Sequence, residues 1–222
     1  MASSEATPSP CVVHEDDDLL VLVKPTGLLC VPGRGPLKQD ALSRRAQLRW
    51  PGALIVHRLD QATSGLVLMA RRPCVQRQLG IAFALREVAK RYEAVVHGLP
   101  CAEASTQDAG DWHLIDVPLA PDWPRRPRQK VDPAHGKPSQ TLWRVLAHDP
   151  ATDTTRLALR PLTGRTHQLR LHLAHIGHAI VGDALYADAR MPGSRLLLHA
   201  CGLRLRHPVT GAWLDFTSPT PF

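Results

Sequence analysis

The chain of 222 residues lacks several things that would have sorted it early. It has no apolar run of about 18 residues or more, which excludes a membrane-spanning helix. Its start, MASSEATPSPC, has neither the basic head nor the apolar stretch of a signal peptide. Residues 1–11 are therefore expected to be a short disordered tail. The five cysteines (Cys11, Cys30, Cys74, Cys101 and Cys201) are odd in number, scattered, and include no C-x-x-C pair. That argues against a disulfide framework or a cysteine zinc site and fits reduced thiols in a cytoplasm. No segment repeats at a fixed period, and no linker divides the sequence. Only two tyrosines are present, Tyr92 and Tyr186.

What is present suits a globular protein. A hydrophobic fraction of 44% is ordinary, and the length allows one sizeable core. The expectation is one domain over residues 12–222. The net charge of +7 is uneven in its makeup. Of the 27 basic residues five are lysine, leaving 22 arginines, whose planar fork suits phosphate and base-edge contacts. Charge by itself suggests a nucleic-acid partner without deciding it.

Along the chain, VVHEDDDLLVLVKPTGLL reads as a hairpin around the acidic turn 15–18. Asp40 is expected to cap a short helix over ALSRRAQLRW, stopped by Pro51-Gly52. ALIVHRLD and LVLMA read as strands. From Pro73 the period changes, and Val75, Leu79, Ala82, Phe83 and Val88 predict an amphipathic helix over 73–88. RYEAVVHG returns to alternation, while residues 100–114 carry no clear signal. PLAPDWPRRPRQKV is proline-rich and basic, so an exposed loop is expected. SQTLWRVLAHD and TTRLALRPL read as strands, and THQLRLHLAHIG as a helix stopped by Gly177. HAIVGDALYA, RLLLHACGLRLRHPVTG and AWLDFTS read as three more extended stretches. Many strands with short connections and few helices make the fold class α+β, with a mostly antiparallel sheet.

Four groups of residues could carry chemistry. His167, His172, His175 and His178 are close in sequence, but only His172 and His175 suit one helical turn, and no glutamate joins them as in H-E-x-x-H. Polar surface histidines explain them better, and no metal is expected. PLTGRTHQLR ends a strand, turns at Gly164 and puts Arg165 at a helix start, where amides and a guanidinium could hold a phosphate or lock a carboxylate. A capping turn with a surface arginine explains it equally well. Tyr92 shares a strand face with Lys90 and Ala94; it could be a core aromatic or a stacking platform for a base. HRLDQATSGL puts Asp60 after Arg58 and before a Thr-Ser-Gly turn. Asp60 could be an ordinary turn residue, or a carboxylate ionised at neutral pH that serves as nucleophile or base.

Taken in order, VLVKPTGL, HRLDQATSGLVLMA, KRYEAVVHG, PLTGRTHQLRLHLAHIGHAIVGDALYA and LHACGLRLRHP resemble the successive motifs of the RluA family of RNA pseudouridine synthases. HRLDxxTSGL and GRTHQLRxH are the specific elements, and the likeness covers about residues 12–217. PLAPDWPRRPRQKV followed by HGKPSQT is closest in pattern to the short dual-specificity enzyme of that family. Its larger relatives carry an N-terminal S4 RNA-binding module, for which a first strand near residue 12 leaves no room. Val23 departs from the asparagine often found before Lys-Pro in the family, with little consequence expected.

The resemblance implies an isomerase that needs no cofactor. The N1–C1′ bond of uridine breaks, the base turns, and C5 bonds to C1′, so nothing is oxidised and nothing leaves. Asp60 would be the catalytic aspartate; it could attack C1′, add to C6 of the ring, or remove a sugar proton. Tyr92 would stack on the target base, Arg165 would pair with Asp60, and Arg58 would fill the gap left by a flipped uridine. Flipping costs about a few kcal/mol, least in a loop. The implied targets are the first pyrimidine of the tRNA anticodon loop and a loop uridine of 23S rRNA. Arg125, Arg126, Arg128 and Lys130 are candidates for RNA backbone contact, or for a merely solvated loop. A cytoplasmic monomer without membrane contact is expected. The alternatives are a synthase for rRNA only, a non-catalytic RNA-binding protein on the same fold, and a histidine metalloenzyme.

Overall fold

The structure, a computed structural model, describes residues 10–101, 111–187 and 195–222. The chain opens with β1 (Cys11–Glu15), β2 (Leu19–Lys24), α1 (Leu42–Arg49), β3 (Leu54–Ile55), β4 (Ser64–Ala70) and α2 (Pro73–Ala84). Then come β5 (Ala89–His97), β6 (His113–Asp116), β7 (Leu119–Pro121), β8 (Gln129–Val131), β9 (Gln140–Asp149), β10 (Thr154–Pro161) and α3 (Gln168–His175). It closes with β11 (Leu198–Arg206) and β12 (Trp213–Thr217). The expected α+β class, with a large and mostly antiparallel sheet, is what the chain adopts.

Two compact units divide the chain, one of residues 1–88 and 203–218, the other of 89–202 and 219–222. In the first unit β1, β2 and β4 lie side by side, β12 pairs with β11, and β3 pairs with the end of β4. The apolar run in β4 is explained by its setting: all seven residues are buried, so both faces of the strand need apolar side chains. Leu66, Leu68 and Ala70 on one face join Leu19, Val21, Leu203, Leu205 and Phe216. Val75 and Leu79, one helical turn apart on α2, complete that core. In the second unit β5, β10, β9 and β6 follow one another, and β7 and β8 form a separate two-stranded sheet.

The predicted hairpin is the β1–β2 pair, with Cys11 opposite Val23. Of the expected tail, residues 1–9 lie outside the described residues, and Cys11 already opens β1. Other expectations need correction. Asp40 does not cap α1; Ala41 holds that position without a side-chain bond, while the Asp40 carboxylate takes two hydrogen bonds from Arg45, at 2.7 and 2.6 Å. The helix expected over 73–88 stops at Ala84. Arg86 takes a positive φ of 63° and the Glu87 N–H bonds to Ala82 O, a Schellman-type closure that turns Val88 into the core.

ALIVHRLD is a strand only at Leu54–Ile55; residues 56–60 are irregular. HAIVGDALYA is a series of turns, with Ile180 alone bridging to Val96. PLAPDWPRRPRQKV is not a plain loop but the β7–β8 hairpin, registered as Leu119 opposite Val131 and Pro121 opposite Gln129. Pro121 at the edge position costs the ladder no donor it needs.

Candidate active site

Asp60 sits in the irregular segment that enters β4. Its carbonyl accepts the Thr63 N–H at 3.1 Å, so the backbone is the turn that its neighbours suggest. Thr63 and Ser64 are buried, and Gly65, opposite Lys24, has a φ of 117° that a residue with a Cβ would adopt only under strain. The turn is held from outside. Lys24, 0% exposed, donates from Nζ to the carbonyls of Pro25 (2.8 Å), Leu28 (2.8 Å) and Gln61 (3.0 Å). The Gly27 N–H bonds to Gln61 O at 2.9 Å, Gln61 Nε2 returns a bond to Gly27 O at 2.9 Å, and Thr26 Oγ1 donates to Ala62 O at 2.6 Å. The motifs VLVKPTGL and HRLDQATSGL, over thirty residues apart, are thus laced together through backbone atoms.

The stretch before Asp60 is fixed as well. The Leu59 N–H points to Cys30 Sγ at 3.2 Å. His57 stacks on Phe83 with 4.7 Å between centroids and accepts the Leu68 N–H at Nε2. Burial pushes the Cys30 thiol pKa up, with the charge of Asp60 a smaller contribution in the same direction. Arg58 is exposed and the Asp60 side chain half-buried. A rigid backbone therefore delivers a carboxylate that solvent can reach.

In the second unit, Lys90, Tyr92, Ala94 and Val96 share one face of β5, as the alternation predicts. Ala94 and Val96 are fully buried, whereas Tyr92, opposite Leu159, is half-buried near the strand's start. The loop after β10 approaches this end of β5: a Cβ added to Gly164 would lie 3.9 Å from Lys90 Nζ. Gln168, buried at the first position of α3, shapes that loop. Its Oε1 accepts from Thr163 Oγ1 (2.7 Å) and the Arg165 N–H (3.0 Å), and its Nε2 donates to Gln140 O and Thr141 Oγ1. Arg165 lies three residues before the helix, exposed, with Nε donating to Pro138 O at 3.2 Å. Between them His167 takes a left-handed φ of 54°.

The four histidines do not converge. His172 is fully buried; Nε2 lies 3.3 Å from Val117 O and Nδ1 3.0 Å from Thr141 Oγ1, and burial drives its pKa down to about 4. His175 is exposed, His178 meets His97 O, and His167 Nδ1 meets Tyr186 OH at 2.9 Å. The expectation of surface histidines is thus corrected for His172, a core residue that completes a polar chain from Gln168 through Thr141. Arg170, inside GRTHQLR, and Asp183 form a buried two-pronged pair at 2.7 Å each.

The basic residues of the β7–β8 hairpin are individually engaged. Arg125 pairs with Asp122 at 2.7 Å, Arg126 covers Trp123, Arg128 lies over Tyr186, and Lys130 pairs with Asp132 at 2.9 Å. The last pair, with the N–H groups of His135 and Ala134, holds the Asp132 carboxyl down at about 2. Residues that sequence reasoning passed over are Lys24, Gln168, Arg170 and Asp183. All lie inside the quoted motifs, and for Lys24, Arg170 and Asp183 a charged side chain between uncharged, apolar neighbours was the available signal.

A family model described as RNA pseudouridylate synthase matches residues 18–175. A dual-specificity RNA pseudouridine synthase, RluA, of Pasteurella multocida is 44% identical over 213 residues, covering 95% of this chain and 93% of that protein. The protein of the same name from Escherichia coli K12 is 43% identical over the same shares. Among solved structures, human RNA pseudouridylate synthase domain containing 1 aligns with a TM-score of 0.77 and 29% identity, covering 96% of this chain and 84% of that one.

Proposed function

Because the chain belongs to the RNA pseudouridylate synthase family, and is an isomerase that makes pseudouridine in RNA, we propose that it acts on two loop uridines. One is the first pyrimidine of the tRNA anticodon loop; the other lies in a hairpin loop of 23S rRNA. The relatives named dual-specificity enzymes, alike over nearly their whole length, support this choice. A loop target also suits the energetics, since a poorly stacked uridine is the least costly to flip.

In this reading residues 12–222 work as one catalytic domain. Asp60 is the catalytic carboxylate, Tyr92 stacks on the flipped base, Arg165 holds Asp60 ionised and aimed, and Arg58 fills the gap left in the RNA. Arg125, Arg126, Arg128 and Lys130 meet the RNA backbone. The protein works as a cytoplasmic monomer; no helix among the described residues is long and apolar enough to cross a membrane. The observation that carries the assignment of Asp60 is its backbone, clamped through Gln61 by a buried lysine. Catalysis by a positioned carboxylate needs that fixity, because misplacement of about 1 Å can cost about 100-fold in rate.

Two measurements test this. Release of tritium from RNA labelled at uridine C5 should fall to background in Asp60→Asn; turnover that persists would remove Asp60 from the chemistry. Pseudouridine mapping of tRNA and rRNA with and without the gene should show both loop positions lost together. An unchanged anticodon loop would leave the rRNA-only alternative.

A further inference from the structure

Trp123, at the tip of the β7–β8 hairpin, is 64% exposed. Covering such a ring with a partner would take apolar area out of water and so favour association. Its surroundings say what. The Arg126 guanidinium lies 3.6 Å from the ring centroid, so one face is backed by a flat cation. Arg125 and Arg126, two and three residues beyond Trp123, are exposed, while Asp122, next to it in sequence, is buried and already paired with Arg125. The tip thus presents an indole ring inside net positive charge, the pairing that single-stranded nucleic acid meets through base and phosphate together.

The turn that carries the ring is also held in place. The Asp122 N–H bonds to Arg128 O at 3.0 Å, the Arg125 N–H to Asp122 O at 3.1 Å, and the Arg128 N–H to Arg125 O at 3.0 Å. Beyond the tip, the Gln129 N–H donates to Tyr186 OH at 2.8 Å. Tyr186 in turn meets His167, two residues from Arg165. Pro121, Pro124 and Pro127 stiffen the turn further. A platform fixed before binding loses little conformational entropy when a base lands on it.

We propose that Trp123, backed by Arg126, stacks on an unpaired base of the substrate RNA other than the uridine that is isomerised. The platform discriminates looped from fully paired RNA, because only an unstacked base exposes its flat face. This rests on the stem–loop reading above and gives that reading a specificity contact separate from Asp60, Tyr92 and Arg165.

The test uses the full chain and an anticodon stem–loop RNA carrying 2-aminopurine at one loop position at a time. Trp123→Ala should bind the stem–loop about 10- to 100-fold more weakly, with the loss read in KM more than in kcat. Wild-type protein should quench 2-aminopurine at one loop position, and Trp123→Ala should not. Trp123→Phe, which keeps an aromatic face, should recover most of the affinity. A Trp123→Ala protein that binds within about twofold of wild type and still quenches at the same loop position would overturn the platform. Wild-type protein that leaves the stem–loop unmodified would instead strike the substrate reading, and the platform with it.

Discussion

Lys24 shows how much a single side chain decides here. It ends an apolar strand, lies wholly out of solvent, and spends Nζ on three carbonyls drawn from two separate motifs. Lys24→Met keeps the volume and removes the donor, leaving those oxygens without it in a buried setting. The expected cost is about 1–3 kcal/mol in unfolding free energy, read from urea melts. Lys24→Arg should not rescue it, because a planar fork cannot point three bonds as an ammonium does. A Met variant as stable as wild type would mean that the clamp is replaceable. Asp60 itself was ambiguous in the sequence, and its neighbours explain why: its backbone does what Asp, Thr, Ser and Gly do in any turn. What distinguishes it is the lacing of that turn to residues 24–28, which no local pattern announces.

Among the elements, α3 and the loop before it depend on polar groups that the helix buries. Gln168 closes the loop that carries Arg165, and Arg170 meets Asp183, whose Oδ1 also takes the N–H groups of Leu185 and Tyr186. Asp183→Asn leaves a buried guanidinium facing a neutral amide. The expected destabilisation is on the order of 3 kcal/mol, measured by thermal or urea unfolding. A change below about 1 kcal/mol would show that the surrounding side chains absorb the charge. Element starts marked by proline and stops marked by glycine were legible, as at Pro73 and Gly177. Ends set by backbone geometry were not. Arg86 stops α2 with a positive φ that an arginine does not advertise, and the β7–β8 pairing was hidden because prolines and arginines read locally as loop.

At the scale of the whole molecule, two buried imidazoles link stability to pH. Burial lowers both His172 and His199 to about 4, from an ordinary value near 6.5. At His172 burial outweighs the ring's contact with Val117 O, at 3.3 Å, which by itself favours the protonated ring. The folded state therefore refuses protons that the unfolded chain accepts. The stability these histidines contribute is complete above about pH 6.5 and is lost as pH falls towards 4, by up to about 3 kcal/mol for each. Urea midpoints taken at pH 7 and pH 4.5 should differ accordingly; a flat profile over that window would contradict the burial of both rings.

Chain order and local chemistry determined much of this protein by themselves. The α+β class, the first hairpin, the strand holding Tyr92 and the family follow from residue patterns that act within a few positions of one another, and such patterns are written directly in sequence. The tertiary structure decided the rest. It alone turned His172 from a surface residue into a core one, moved the Asp40 carboxylate from a helix cap to Arg45, and set Lys24 under the Asp60 turn. The reason is physical: burial and long-range hydrogen bonds are properties of what surrounds a side chain, and the surroundings of Asp60 include a strand end 36 residues before it.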